Sequence, residues 1–346
     1  MLSNKRHLIA LGVLLFITAG ILIMMRLNKK SKTEAVSEHF FAMDTVMDIT
    51  LYATDETDAE IADIMTEMRD RIYQMEAELS VTKDDSDIAK LNRISGNGEQ
   101  LEVSDDTWSL LFSALEVAKE TDESGKAAFD PTLYPIVKLW GFTTGEHRVP
   151  SDDEIKNELK KVGYENVEIG SPSDHPTVKL NNNAQVDLGA CAKGYLSDAL
   201  CQIMTMHKVN GIVSLGGNVQ SVGTKPDGTE FTVGIADPKN PSSVYEKIVT
   251  KDKAVVTSGN YERYFEKDGK RYHHIMDSRT GAPAESGLAS VTVVGPSGLY
   301  CDAYATAFFV MGEEKSKEFL KSHAGYQAAF IYEDGHSSGF DELMKN

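Results

Sequence analysis

The longest apolar run stands at the start of the chain. Leu8 to Met25, LIALGVLLFITAGILIMM, is an uncharged stretch of 18 residues, just enough to cross a bilayer as a helix. Thr18-Ala19-Gly20 is a poor cleavage site because more apolar residues follow it. No cysteine lies near its end, which excludes a lipoprotein anchor. The pattern predicts an uncleaved signal anchor and its flank over 1–32, a polar linker over 33–38, and one domain over 39–346.

Beyond the anchor the hydrophobic period alternates between two and about 3.6. His39 to Tyr52 alternates around Val46, Ile49 and Leu51 and predicts a strand. Asp58 to Leu79 carries Ile61, Ile64, Met65, Met68, Ile72, Met75 and Leu79 on one helical face. Further helices are predicted over Asp105–Glu120, Ser151–Val162 with Ser151 as N-cap, Ala192–Met206, Cys301–Met311 and Glu313–Ser322. Short β-type runs fall at Thr177–Leu180, Gln185–Leu188, Gly211–Leu215, Gln220–Gly223, Phe231–Ala236, Tyr245–Val249 and Ala254–Thr257. Others lie at Tyr261–Phe265, Lys270–Met276, Leu288–Val294 and Ala328–Tyr332. Helices lead and strands dominate later, which predicts an α+β fold and no regular βαβ alternation.

Charge narrows the partners. The 346 residues carry a formal net charge of −18. So acidic a surface repels nucleic acid and anionic lipid, which discards both as partners of the soluble part. An anionic small substrate remains open if a cation sits in its site. Cys191, Cys201 and Cys301 show no metal-binding spacing and read as buried thiols.

Four segments carry candidate chemistry, and no GxGxxG, Walker A or GxSxG pattern competes with them. Gly216-Gly217-Asn218 could cradle a ligand or form a plain turn. In Val186-Asp187-Leu188-Gly189-Ala190-Cys191-Ala192-Lys193-Gly194-Tyr195, a short strand leads through small residues into a helix. Such a turn lets backbone groups approach an anionic ligand, with Lys193 to balance a diphosphate; the alternative is a packing turn with Lys193 in solvent. Asp302 and Thr306 lie four residues apart, side by side on a helix face, and offer two hard oxygens suited to Mg²⁺. Alternatively Asp302 caps the helix and Thr306 bonds its own backbone. In Tyr272-His273-His274-Ile275-Met276-Asp277 only one of the histidines of a strand can face a site, as a proton acceptor or as a structural ring.

Taken in order, these motifs resemble those of the ApbE-type FAD:protein FMN transferases, formerly called thiamine-biosynthesis lipoproteins. The resemblance runs from about Phe40 to Gly312. It rests on Ala42-Met43-Asp44-Thr45, Leu79-Ser80, Ala128-Phe129-Asp130-Pro131-Thr132, Val186 through Ala190, Lys193-Gly194, Gly216-Gly217-Asn218, His274 through Gly281, and Asp302 to Thr306. It implies a T-fold-like α+β domain of mixed helices and antiparallel sheets behind one transmembrane helix. It also implies Mg²⁺ held by Asp302, Thr306 and the backbone carbonyl of Ala190. FAD, the substrate, would contact Met43, Ala128, Phe129, Asp130, Asp187, Lys193 and Met276. Thr82 stands where the family often has a Tyr, so that FAD contact lacks a ring to stack. His274 matches the family's proton acceptor.

The implied reaction moves FMN from FAD to a Ser or Thr hydroxyl of an acceptor protein with an FMN-binding-type domain, and releases AMP. A metal-dependent FAD pyrophosphatase and a non-catalytic flavin-binding protein are the rival expectations. The run Asp277 to Ala282 resembles an acceptor motif, but is expected to form part of the site. Lys5 and Arg6 before the apolar run, against Arg26, Lys29, Lys30 and Lys32 after it, favour a cytoplasmic domain by basic-residue counting. The family usually works outside the membrane and long domains translocate regardless of flanking charge, so the domain is expected on the extracytoplasmic side of the cell membrane.

Overall fold

A computed structural model describes residues 35–53, 57–171 and 175–343. The expected anchor lies outside them. Among the described residues no helix is long and apolar enough to cross a membrane.

The stretch expected as one strand is a hairpin of β1 (Ala35–Ala42) and β2 (Thr45–Tyr52). Met43 and Asp44 close it at φ 48° and 58°. Two successive left-handed residues make a turn whose twist matches paired strands. Neither is Gly or Asn, so the turn carries no ordinary sequence signal. β1 also takes in residues 35–38 of the expected linker.

The chain then runs through α1 (Asp58–Leu79), α2 (Asp87–Ile94), β3 (Leu101–Glu102), α3 (Asp105–Glu120), α4 (Tyr134–Leu139) and α5 (Asp152–Leu159). β4 (Val167–Ile169), β5 (Thr177–Leu180) and α6 (Ala192–Met206) follow. Next come β6 (Asn210–Leu215), β7 (Asn218–Val222), β8 (Phe231–Asp237), β9 (Asn240–Thr250) and β10 (Ala254–Gly259). β11 (Tyr264–Lys267), β12 (Lys270–His273), β13 (Met276–Asp277), β14 (Ala282–Pro283) and β15 (Leu288–Gly295) lead to α7 (Gly298–Met311) and α8 (Glu313–Leu320). β16 (Gln327–Tyr332), β17 (Ser337–Ser338) and α9 (Phe340–Leu343) end the described chain.

One antiparallel sheet, ordered β1-β2-β6-β7-β10-β15-β16-β17, organises these elements into the mixed α+β fold expected. Strand alternation divides its side chains between two cores. Val213, Leu215, Val256, Val291 and Val293 pack against α1, α6 and α7. Ile212, Val219, Val255 and Val294 face the other way, against Val233, Ile235 and Ile248 of the β8–β9 hairpin and Phe340 and Leu343 of α9. Each such side chain removed from water stabilises the fold by about 1.5–3 kcal/mol.

Three further expectations change. The strand expected over Tyr261–Phe265 begins only at Tyr264. Gln185–Leu188 is no strand and forms only an isolated bridge from Gln185 to Leu133. Its backbone is satisfied elsewhere: Val186 N–H donates to Asn92 Oδ1 at 2.7 Å and Asp187 N–H to the Pro131 carbonyl at 2.9 Å. Lys270–Met276 breaks after His273, where the β11–β12 ribbon ends.

Helix α7 is buried on nearly every side, and it crosses α6 where Gly298 meets Gly194. A Cβ on Gly298 would lie 2.1 Å from Ser197 Oγ and 2.6 Å from the Gly194 carbonyl oxygen. Gly298→Ala should therefore lower stability by about 1–3 kcal/mol, as overpacking does. Denaturant titration checks this, and an unchanged midpoint would contradict the close crossing.

Candidate functional site

A cavity of about 880 Å³ opens at the end of the main sheet. The Gly216-Gly217 turn between β6 and β7 forms its floor with Thr257 and Ser258 of β10. Met43, Thr82, Ala128, Phe129, Asp130, Asp187, Ala190, Lys193, His274, Met276, Asp302 and Thr306 all line it. The structure thus brings these twelve sequence-predicted residues into one space.

Asp302 is the centre of the arrangement. Its Oδ2 accepts the Gly194 N–H at 3.0 Å and Asn218 Nδ2–H at 2.8 Å. Its Oδ1 takes no protein hydrogen bond among the described residues. Ser297, not Asp302, caps α7, with its hydroxyl accepting the Tyr300 N–H. The alternative that Asp302 caps its own helix therefore fails; Asp302 instead caps α6 through the Gly194 N–H, where the N-cap residue Cys191 supplies no capping side-chain bond.

This cross-cap releases a carbonyl. In an uninterrupted helix the Gly194 N–H would bond the residue four back, Ala190. It is donated to Asp302 instead, and the Ala190 carbonyl accepts no backbone hydrogen bond among the described residues. Thr306 stands one turn beyond Asp302, its hydroxyl 3.4 Å from Ser258 Oγ, longer than a normal O–H···O bond. Three under-used hard oxygens are thus available, a donor set that fits Mg²⁺. Burial raises the Asp302 carboxyl above its ordinary range, opposed by Lys193, Asn218 and the Gly194 N–H. A cation at Oδ1 would reverse that burial effect.

The two histidines separate cleanly. His273 is buried, with Nε2 3.1 Å from the Ala284 carbonyl, and burial pulls it down to about 4. His274 lines the cavity, and its Nδ1 lies 3.1 Å from the Arg263 carbonyl. A carbonyl only accepts, so in the neutral ring Nδ1 carries the proton and Nε2 is the base. Burial, then the Arg263 guanidinium, push His274 well below the usual histidine range.

Asp130 has one oxygen committed, because Oδ1 accepts the Thr132 N–H at 2.8 Å and its hydroxyl at 2.6 Å. Burial raises its carboxyl to about 6. The turn 277–282, expected in the site, stands behind it. Ser278 is fully buried and donates to the Ala127 carbonyl at 2.6 Å, and Asp277 is engaged by Arg279. Of this segment, His274, Ile275 and Met276 before the turn line the cavity, and residues 277–282 do not. The three cysteines are buried free thiols, as expected.

Sequence reasoning missed other wall residues. Glu76 accepts the Met43 N–H at 2.8 Å and pairs with Lys83 at 2.5 Å, fixing the hairpin turn at the cavity edge. Tyr261, Glu262, Arg263 and the Val233–Ala236 stretch of β8 also line the space. Glu76 sits among helix-facing positions whose period signals only packing, and a backbone carbonyl such as that of Arg263 has no residue signature.

The fold and cavity define an α+β domain that gathers hard oxygens and a lysine around one space. The ApbE family pattern matches residues 43–331. The FAD:protein FMN transferase of Treponema pallidum is 37% identical over 292 residues, covering 80% of this chain and 79% of that protein. The protein of the same name from Escherichia coli K12 is 31% identical over 280 residues, 78% of each. Among solved structures, the ApbE protein of Thermotoga maritima superposes with a TM-score of 0.81 at 32% identity, covering 90% of this chain and all of that one. Flavin transferase ApbE from Vibrio cholerae gives 0.77 at 28% identity, with 90% and 100% covered. The chain belongs to the ApbE family.

Both histidines should stay neutral as the pH falls through 6.5, where unfolded histidine takes up its proton. The unfolded state then binds more protons, so stability declines toward acid. Ring-resonance titration by NMR should place His273 near 4 and His274 below 6.5. A His274 midpoint at or above 6.5 would contradict the burial of that ring.

Proposed function

We propose that this chain is a Mg²⁺-dependent FAD:protein FMN transferase acting on a Ser or Thr hydroxyl of an acceptor protein. The observation that carries the reading is the Ala190 carbonyl, left without its helical donor, beside the free Oδ1 of Asp302 in a cavity that Lys193 also lines. An alanine position acquires a role there only through its backbone. Family membership and the names of the relatives support the same assignment.

Asp302, Thr306 and the Ala190 carbonyl would hold Mg²⁺, which when bound would draw charge from the FAD diphosphate. Lys193 places a further positive charge against that diphosphate. Met43, Thr82, Ala128, Phe129, Asp187 and Met276 form the walls against which FAD lies, with Asp130 ordering its own turn. Thr82 contributes a hydroxyl and no ring. His274 Nε2 takes the proton of the acceptor hydroxyl as that oxygen bonds the FMN phosphorus. The bond from this phosphorus to the bridging oxygen breaks, and AMP leaves with that oxygen.

The uncharged run at 8–25 supports a membrane tether, and the domain is assigned to the extracytoplasmic side. Protease added to intact cells should then cleave it, whereas full protection would place it in the cytoplasm.

Mass spectrometry of an FMN-binding-type acceptor domain after incubation with this protein, FAD and Mg²⁺ should show FMN on a Ser or Thr. Free FMN with an unmodified acceptor would instead mark a pyrophosphatase, and no FAD turnover a flavin-binding protein. His274→Ala should slow transfer by roughly 10²–10⁴-fold, the usual contribution of a general base. Asp302→Ala should cost at least about 10²-fold by removing charge stabilisation of the transferring phosphoryl group.

A further inference from the structure

Asp198 lies one turn into α6, away from the cavity lining, and takes four hydrogen-bond donors. Its Oδ1 accepts the Gly298 N–H at 2.6 Å and Gln220 Nε2–H at 2.9 Å. Its Oδ2 accepts the Ser297 hydroxyl at 2.7 Å and the Leu299 N–H at 3.0 Å. Asp198 thereby caps α7 from α6, while Asp302 of α7 caps α6 through the Gly194 N–H. The two helices cap each other.

Strand β7 ties both carboxylates to the sheet. Asn218 and Gln220, two residues apart on one face, hold Asp302 and Asp198 respectively. Ser197 joins the crossing by donating to the Gly194 carbonyl at 2.8 Å. A Cβ on Gly194 would lie 2.2 Å from the Gly298 oxygen and 2.7 Å from Asp302 Cβ. The position of Asp302 along α6 is therefore set by how the first turn of α7 is held, and Asp198 holds that turn.

We propose that Asp198 is a positioning residue for the cation site, acting through the α7 N-terminus to keep Asp302 Oδ2 on the Gly194 N–H. Oδ1 and the Ala190 carbonyl then stay open together. The inference rests on the metal-binding role proposed for Asp302. Asp198 touches no substrate and no proposed ligand atom. Losing it lets α7 shift or rotate at its start, so that the Gly194 N–H is held less firmly on Asp302, opens to solvent more often, and can also return to Ala190 and close that carbonyl.

Two readouts test this in the full-length protein. Asp198→Asn, which turns half of the acceptor surface into a donor, should raise the Mg²⁺ concentration for half-maximal FAD turnover by about 10–100-fold, the range for residues that orient metal ligands. The KM for FAD at saturating Mg²⁺ should stay within about threefold, because uniform substrate binding is untouched. Ser297→Ala, which removes one of the four donors, should raise the Mg²⁺ requirement less, and carries the test if Asp198→Asn does not fold. Glu313→Ala, which removes a carboxylate bonded to Tyr332 and Ser338 on α8, should leave the requirement unchanged.

The second readout needs no metal: hydrogen exchange at the Gly194 amide, which Asp198 does not touch, should accelerate in both α6–α7 variants and not in Glu313→Ala. A folded Asp198→Asn protein with wild-type Mg²⁺ requirement, or with unchanged Gly194 exchange, would overturn the proposal. Wild-type turnover indifferent to Mg²⁺ would overturn the metal reading itself, and the exchange result would still judge the helix clamp separately.

Discussion

The site depends on the division of labour between the two oxygens of Asp302. One is spent on structure, accepting the N–H of Gly194 and the side-chain amide of Asn218. The other takes no protein hydrogen bond among the described residues, and the proposed cation would use it. A buried carboxylate is costly unless it is paired and hydrogen-bonded. Here two donors meet part of that cost at Oδ2, and Asp302 lines the cavity together with Lys193. The same bond that stabilises the start of α6 opens the Ala190 carbonyl. Helix capping and site construction are one event.

That economy needs close backbones. Gly194 and Gly298 allow the two helices to approach at their first turns, and any side chain at either position would push them apart. The antiparallel sheet supplies the fixed reference, because Asn218 follows directly from the Gly216-Gly217 turn that floors the cavity. The glycines of that turn have φ 59° and 97°, which non-glycine residues avoid. A turn, a helix start and a buried helix thus converge on one carboxylate. On the facing wall, the Arg263 carbonyl fixes the His274 tautomer and leaves Nε2 as its base.

Much of this was legible in the sequence, for identifiable reasons. The long helices carry an unbroken 3.6 period, and the i, i+4 spacing of Asp302 and Thr306 places them on one face of α7. His273 and His274 part as expected, although β12 ends between them and the alternation of one continuous strand is not the reason. What stayed hidden lacks a side-chain signature or depends on distant partners. The β1–β2 turn uses Met43 and Asp44 in left-handed conformations, secured by Glu76 from α1. The short helices α4 and α9 span too few residues for a period. Ala190 acts only through a carbonyl, whose freedom depends on where Gly194 sends its N–H. Asp198 reads as an ordinary polar position in a helix until α7 is packed against it.

The central claim is that Asp302 binds cation and helix through different oxygens. Crystals of the protein soaked with Mn²⁺, read by anomalous scattering, test it most directly. The account places the ion about 2.1 Å from Asp302 Oδ1, the distance of a hard octahedral cation, with the Ala190 carbonyl and Thr306 hydroxyl in the same sphere and the Gly194 N–H still on Oδ2. An ion bound through Oδ2, or one that leaves the Ala190 carbonyl bonded to Gly194, would contradict it.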